Sequence, residues 1–197
     1  MSSGDDTFNE LLHRARAGDA AAGNELIRQY ERDVRLIARV RLSTPAMRRT
    51  LDSMDVCQSV LANFMVRLTA GQFELDTPAQ LLKLLATMVR NKVTDSARRQ
   101  RAARRDIRRT SATSVEECHI AGSQETPSGV VATAELLEAF DQRLSTAERE
   151  LIEGRRQGQT WEELAARCQG RPEALRKQLS RAVDRVSKEL GLSDVTE

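Results

Sequence analysis

The chain has 197 residues, 40% apolar, 30% charged and only 3% aromatic, with a formal net charge of +2. That length suits one or two small domains, and four prolines and ten glycines leave room for long helices with cores of Leu, Val, Ala and Met. No run approaches the roughly 18 apolar residues of a membrane span, and MSSGDDTFNE is unlike a signal peptide, so a cytoplasmic chain without membrane insertion is expected.

Thr7 and Glu10 have capping-box spacing and predict a helix over 8–17, ended by Gly18. Asp19 can cap a second helix over 20–42, with Leu26, Tyr30, Val34, Ile37 and Val40 at helical spacing. Pro45 marks its break. Asp52 can cap a third helix through Leu68, with Val56, Val60, Phe64 and Leu68 on one stripe, Leu61 beside it and Gly71 beyond its end. After the loop GQFELDT, Thr77 and Pro78 supply the cap and first-turn proline of a fourth helix. It begins apolar, with Leu81, Leu82, Leu84, Leu85, Met88 and Val89, and then turns basic. No strand-like alternation is sustained, so the first domain reads as an all-α bundle of four helices ending near Arg109.

Residues 110–126 are polar and without periodicity, as a linker would be. A fifth helix is expected from Val130, with Val131, Leu136, Leu137, Phe140 and Leu144 as its apolar face. Ser145 with Glu148, and Thr160 with Glu163, then have capping-box spacing. Gly158 and Gly170 sit where helix ends favour positive φ, and Pro172 suits the first position of a last helix. That helix, over 172–190, should bury Leu175, Leu179, Ala182, Val183 and Val186. Arg171, Glu173, Arg176, Lys177 and Ser180 should face outward, followed by Arg181 and Arg185. A short helix, a tight turn and a basic helix form a helix-turn-helix pattern, with Trp161, Leu164 and Ala165 as its core.

The small net charge hides strong local asymmetry. Residues 90–109 hold nine Arg/Lys against Asp95 and Asp106, a net of +7. Residues 110–150 carry a net of −6, and 171–188 return to +4. Two basic segments flanking an acidic one make nucleic acid the first partner to expect, because a polyanion responds to local patches.

Arg can donate two parallel hydrogen bonds to guanine, Glu can accept from cytosine, and a helix N-terminus offers N–H groups to phosphate. On the earlier basic helix, Arg90, Arg98, Arg101, Arg104 and Arg105 lie opposite the apolar face. Asn91 and Asp95 are one turn apart, and an Asn amide can pair with adenine or hold a flipped-out base. Asp52, Asp55 and Gln58 lack a neighbouring His, second carboxylate pair or glycine-rich loop, so docking explains them better than catalysis. Cys57, Cys118 and Cys168 form no CxxC pair, and the adjacent Cys118 and His119 do not make a four-ligand metal site. No catalytic residue, metal or cofactor is expected.

Three segments together resemble the extracytoplasmic-function group of bacterial RNA polymerase sigma factors. The first is Asp52-Ser-Met-Asp-Val-Cys-Gln58. The second is Leu84-Leu-Ala-Thr-Met-Val-Arg-Asn91-Lys-Val-Thr-Asp95-Ser-Ala-Arg98. The third joins Leu144-Ser-Thr-Ala-Glu-Arg-Glu-Leu151 to Trp161-Glu-Glu-Leu-Ala165 and Leu175-Arg-Lys-Gln-Leu-Ser-Arg-Ala182. The resemblance implies an all-α chain with a region 2-like domain over 5–109, a flexible linker over 110–129 and a region 4-like helix-turn-helix domain over 130–191. It implies a non-enzymatic factor that binds core RNA polymerase and directs promoter-specific initiation, with an anti-sigma factor as a further candidate partner.

By the same resemblance, Asp52, Asp55 and Gln58 would grip the polymerase's coiled-coil clamp. Phe73, Arg90, Asn91, Lys92, Asp95, Arg98 and Arg99 would serve the −10 element, where a base is flipped out. Arg171, Glu173, Arg176, Lys177 and Arg181 would contact the −35 element. Leu84 stands where the family usually has Trp, and Glu173-Ala174 where it usually has Gly-Thr. A stand-alone helix-turn-helix regulator binding duplex DNA is the alternative reading, and a DNA-processing enzyme would need a carboxylate cluster or nucleophile that the sequence does not display.

Overall fold

The structure is a computed structural model that describes residues 3–42, 47, 51–109 and 129–192. Among them are eight helices and no strand: α1 (Ser3–Arg16), α2 (Ala20–Arg41), α3 (Ser53–Thr69), α4 (Pro78–Arg109), α5 (Gly129–Gln142), α6 (Thr146–Arg156), α7 (Trp161–Cys168) and α8 (Pro172–Glu189). The all-α class is therefore as expected. None of these helices is long and apolar enough to cross a membrane. The expected break at Pro45, residues 110–128 of the linker expected over 110–129, and the Cys118–His119 pair lie outside the described residues.

Most helix ends follow from local chemistry. Asp19 accepts from the Ala21 and Ala22 N–H groups, and Asp52 from that of Met54. Ser145 with Glu148 and Thr160 with Glu163 both close reciprocal capping boxes. Four expectations are corrected. First, α1 starts at Ser3, which puts Thr7 inside the helix and not at its cap. Second, Val40 is 67% exposed. The buried line of α2 runs Val34, Ala38, Leu42 in steps of four, and Val40 lies about 200° round the helix from Ala38. Third, Gln169, not Gly170, takes the left-handed conformation after α7, with φ 51°. Gly170 is instead crowded by Leu175, whose Cδ2 would stand 3.2 Å from an added Cβ. Val131, expected on the apolar face of α5, is also largely exposed.

Two apolar clusters organise these helices. The first joins α1 to α4 through side chains such as Phe8, Leu26, Val34, Phe64, Leu81 and Leu85. The second joins α5 to α8 through Phe140, Leu151, Ile152, Leu164, Leu179 and Val183, and it includes Val66 and Ala70 of α3. Helix α3 is thus buried on two sides, which explains why its sequence is apolar nearly all round. Helix α5 lies against α2 and α3. At that crossing a Cβ on Gly23 would stand 2.5 Å from Met65 Cε and 3.4 Å from Thr133 Cγ2, so any larger residue there would have to displace the end of the Met65 side chain.

The α7 cap gives a direct test. Thr160→Ala should destabilise the chain by about 1 kcal/mol in urea unfolding. The Thr160 backbone N–H holds the Glu163 carboxyl below its ordinary range. A depressed carboxyl contributes stability above its unfolded pKa and loses it as pH falls through the folded value. Thr160→Ala keeps that N–H, so the pH-dependent share is read at Glu163: the difference in stability between wild type and Glu163→Ala should shrink at acid pH, and a pH-independent difference would remove the Glu163 carboxylate from the cap.

Candidate nucleic-acid interface

Helix α4 buries Leu81, Leu85, Val89 and Val93 in the first core, and this fixes which side chains it shows to solvent. Arg90, Asn91, Arg98, Arg99 and Arg101 are exposed, while Lys92 and Asp95 are half-buried. Asn91, Asp95 and Arg98 follow one another at i, i+4 and i+7 along one stripe. Asp95 pairs with Arg98 at 3.7 Å, but the Arg98 side chain remains 68% exposed, so the pair is weak and leaves the guanidinium facing water. Arg99 donates to Ser96 Oγ at 3.3 Å. The side chains of Arg104 and Arg105 lie outside the described residues.

Phe73 comes from the loop before α4. Its ring stacks on Phe64 at 5.9 Å and 12°, and its carbonyl accepts from Arg16 at 2.8 Å. The loop is therefore anchored at both ring and backbone. It also lines a cavity of about 330 Å³ with Trp161, Arg176, Leu179 and Ser180.

On α8 the expected inner residues Leu175, Leu179, Ala182, Val183 and Val186 are all buried. Arg171, Glu173, Arg176, Lys177, Ser180 and Arg181 are all exposed around the N-terminal half of the helix. Pro172 occupies the first turn, and Arg171 makes no side-chain cap. Arg185 is different: it binds Glu148 at 2.8 Å, Glu189 at 3.1 Å and the Arg143 carbonyl at 3.3 Å. Since Glu148 also closes the α6 capping box, Arg185 braces the fold. Leu164 and Ala165 are buried, whereas Trp161 is half-buried with the Arg155 guanidinium 5.1 Å from its ring centroid.

Asp52, Asp55 and Gln58 are exposed along the first turns of α3. Asp52 also lines a recess with Arg39, Leu42, Leu51 and Ser53. Cys57, one residue before Gln58, is buried, and burial pushes its thiol up to about 11, which leaves it unreactive at neutral pH. Among the described residues no group of three His, Cys, Asp or Glu side chains could hold a metal ion.

Sequence reasoning overlooked Arg67, Arg155 and Arg156, which lie where the two cores meet. Arg67 pairs with Asp184 of α8 at 2.6 Å. Arg156 pairs with Asp141 at 3.0 Å and donates to the Thr69 carbonyl at 3.3 Å. An arginine following the apolar run of α3 was the available signal for Arg67.

The chain matches the family model described as ECF sigma factor over residues 5–191. No match is found among curated proteins or among solved structures.

Proposed function

The chain belongs to the ECF sigma factor family, whose role is in transcription initiation, and from that premise we propose that it is a promoter-specificity subunit of RNA polymerase. In this reading residues 5–109 form the unit that meets core polymerase and the −10 element, 110–129 connect, and 130–191 form the unit that meets the −35 element. Asp52, Asp55 and Gln58 dock on the polymerase. Phe73, Arg90, Asn91, Lys92, Asp95, Arg98 and Arg99 hold the −10 region, with Asn91 capturing an unpaired base and the arginines neutralising phosphate. Arg171, Glu173, Arg176, Lys177 and Arg181 enter the major groove at −35. An anti-sigma factor is a further partner in this reading.

The observation that carries the proposal is the pairing of two solvent-facing polar surfaces, the Asn91–Asp95–Arg98 stripe and the outer face of α8, in one chain of this family. The purified chain should comigrate with core polymerase and support run-off transcription from genomic templates. Tight binding to duplex DNA without any affinity for core polymerase would favour a stand-alone regulator instead. Because Asp55 and Gln58 are exposed, Asp55→Ala with Gln58→Ala should weaken core binding by roughly tenfold and leave thermal stability unchanged. Undiminished core binding by that double variant would move the polymerase contact elsewhere.

A further inference from the structure

We propose that the cavity between the loop after α3 and the helix-turn-helix binds a guanine nucleotide, with the base on Trp161 and the phosphate on Arg176. Its volume of about 330 Å³ is at the small end of ligand sites and fits one mononucleotide. Gln72 and Glu74 line one side, and Trp161, Arg176 and Ser180 the other. Two more arginines stand directly behind this lining. Arg16 donates to the Phe73 carbonyl at 2.8 Å. The Arg155 guanidinium lies 5.1 Å from the Trp161 ring centroid, and a Cβ on Gly71 would stand 2.9 Å from Arg155 Cβ.

The positive charge around this cavity is not neutralised. On α3, α6 and α8, Arg67, Arg156 and Arg185 each meet a carboxylate, at 2.6, 3.0 and 2.8 Å. Arg16, Arg155 and Arg176 form no ion pair among the described residues. Arg16 and Arg155 donate to neutral carbonyls instead, Arg155 to that of Gln159 at 2.6 Å. The Nε atoms of both are buried without a hydrogen-bond partner. Burial, followed by the like charge of Arg155, lowers the pKa of Arg16, and Glu74 and Asp76 offset this only in part. Uncompensated positive charge in partly desolvated ground favours an anion.

Phosphate answers that charge best, because an arginine fork matches its oxygens in pairs. Ser180 adds a hydroxyl donor one helical turn from Arg176. A bare anion would leave the remaining lining unused. Trp161 is half-buried and presents a flat ring on which a base can stack. Gln72 and Glu74 bring an amide oxygen and a carboxylate, which accept from the N–H edge of a base. Guanine offers a ring N–H beside an amino group, two donors for one carboxylate. Occupancy withdraws Arg176 from −35, a consequence that rests on the function proposed above; the site itself does not.

Trp161 is the single tryptophan of the chain, so its fluorescence reports the site in the full chain without polymerase or DNA. Guanosine monophosphate should quench it saturably. Arg176→Ala should weaken binding by about tenfold or more, as expected for a lost charged hydrogen bond. Lys188→Ala, which removes the same charge near the other end of α8, should leave affinity unchanged. Both side chains are exposed, so neither change disturbs the core. Guanosine, pyrophosphate and adenosine monophosphate should each bind more weakly than guanosine monophosphate. No saturable quenching below about 1 mM, or equal affinity in Arg176→Ala and wild type, would overturn the site. An equal loss in Lys188→Ala would reduce it to attraction by net charge. Pyrophosphate or adenosine monophosphate binding as tightly as guanosine monophosphate would overturn the assignment to a guanine nucleotide.

Discussion

Arg176→Glu should lower initiation from promoters carrying the −35 element by about tenfold to a hundredfold, corresponding to the roughly 1–3 kcal/mol of one bidentate base contact. The side chain is exposed on the outer face of α8, one position after buried Leu175, so the substitution removes no core contact. It replaces a five-donor guanidinium with a carboxylate where the proposed function places DNA, so repulsion would add to the lost hydrogen bonds. Thermal stability and core binding should remain at wild-type values. Promoter selection that is unchanged in run-off transcription would remove Arg176 from the reading surface.

Asn91→Ala should reduce open-complex formation by about tenfold or more while core affinity changes little, because the amide is assigned to a base that is unstacked only after strand separation. Asn91 is exposed and lies opposite the buried line of Leu85, Val89 and Val93, so alanine there is well tolerated by the helix. Permanganate footprinting at −10 and a core-binding titration separate the two effects. Equal loss in both would instead indicate damage to the bundle.

These assignments were legible because the relevant faces are set by periodicity. Once Leu175, Leu179, Ala182, Val183 and Val186 are seen as inward, the basic residues of α8 have only one side left to occupy. The same holds for α4. Where the reading slipped, the competing effect is identifiable. Val40 satisfies helical spacing over a short window, but the buried line of α2 advances in steps of four and leaves it behind. Gly170 had the expected residue type for a helix end, yet its N–H turns back to the Ala165 carbonyl at 3.0 Å, which makes Gln169 the left-handed residue one position earlier. Arg185 lies on the outward face as expected, but its ion pair with Glu148, 37 residues away in sequence, was not legible in any local spacing.

By itself the sequence determined the helices from α2 onward, most of their caps, the inward face of α8 and the positions of the two basic surfaces. All of these depend on groups within about one helical turn of each other, where residue type and spacing decide the energy. Only the tertiary structure decided that α3 serves two cores and that Phe73 and Arg176 share a cavity. Those features join residues far apart in the chain: Arg67 and Asp184 are separated by 117 positions, and Ser59 and Leu192 by 133. No local spacing encodes such a pairing, because its energy arises only when whole helix faces meet and exclude water together.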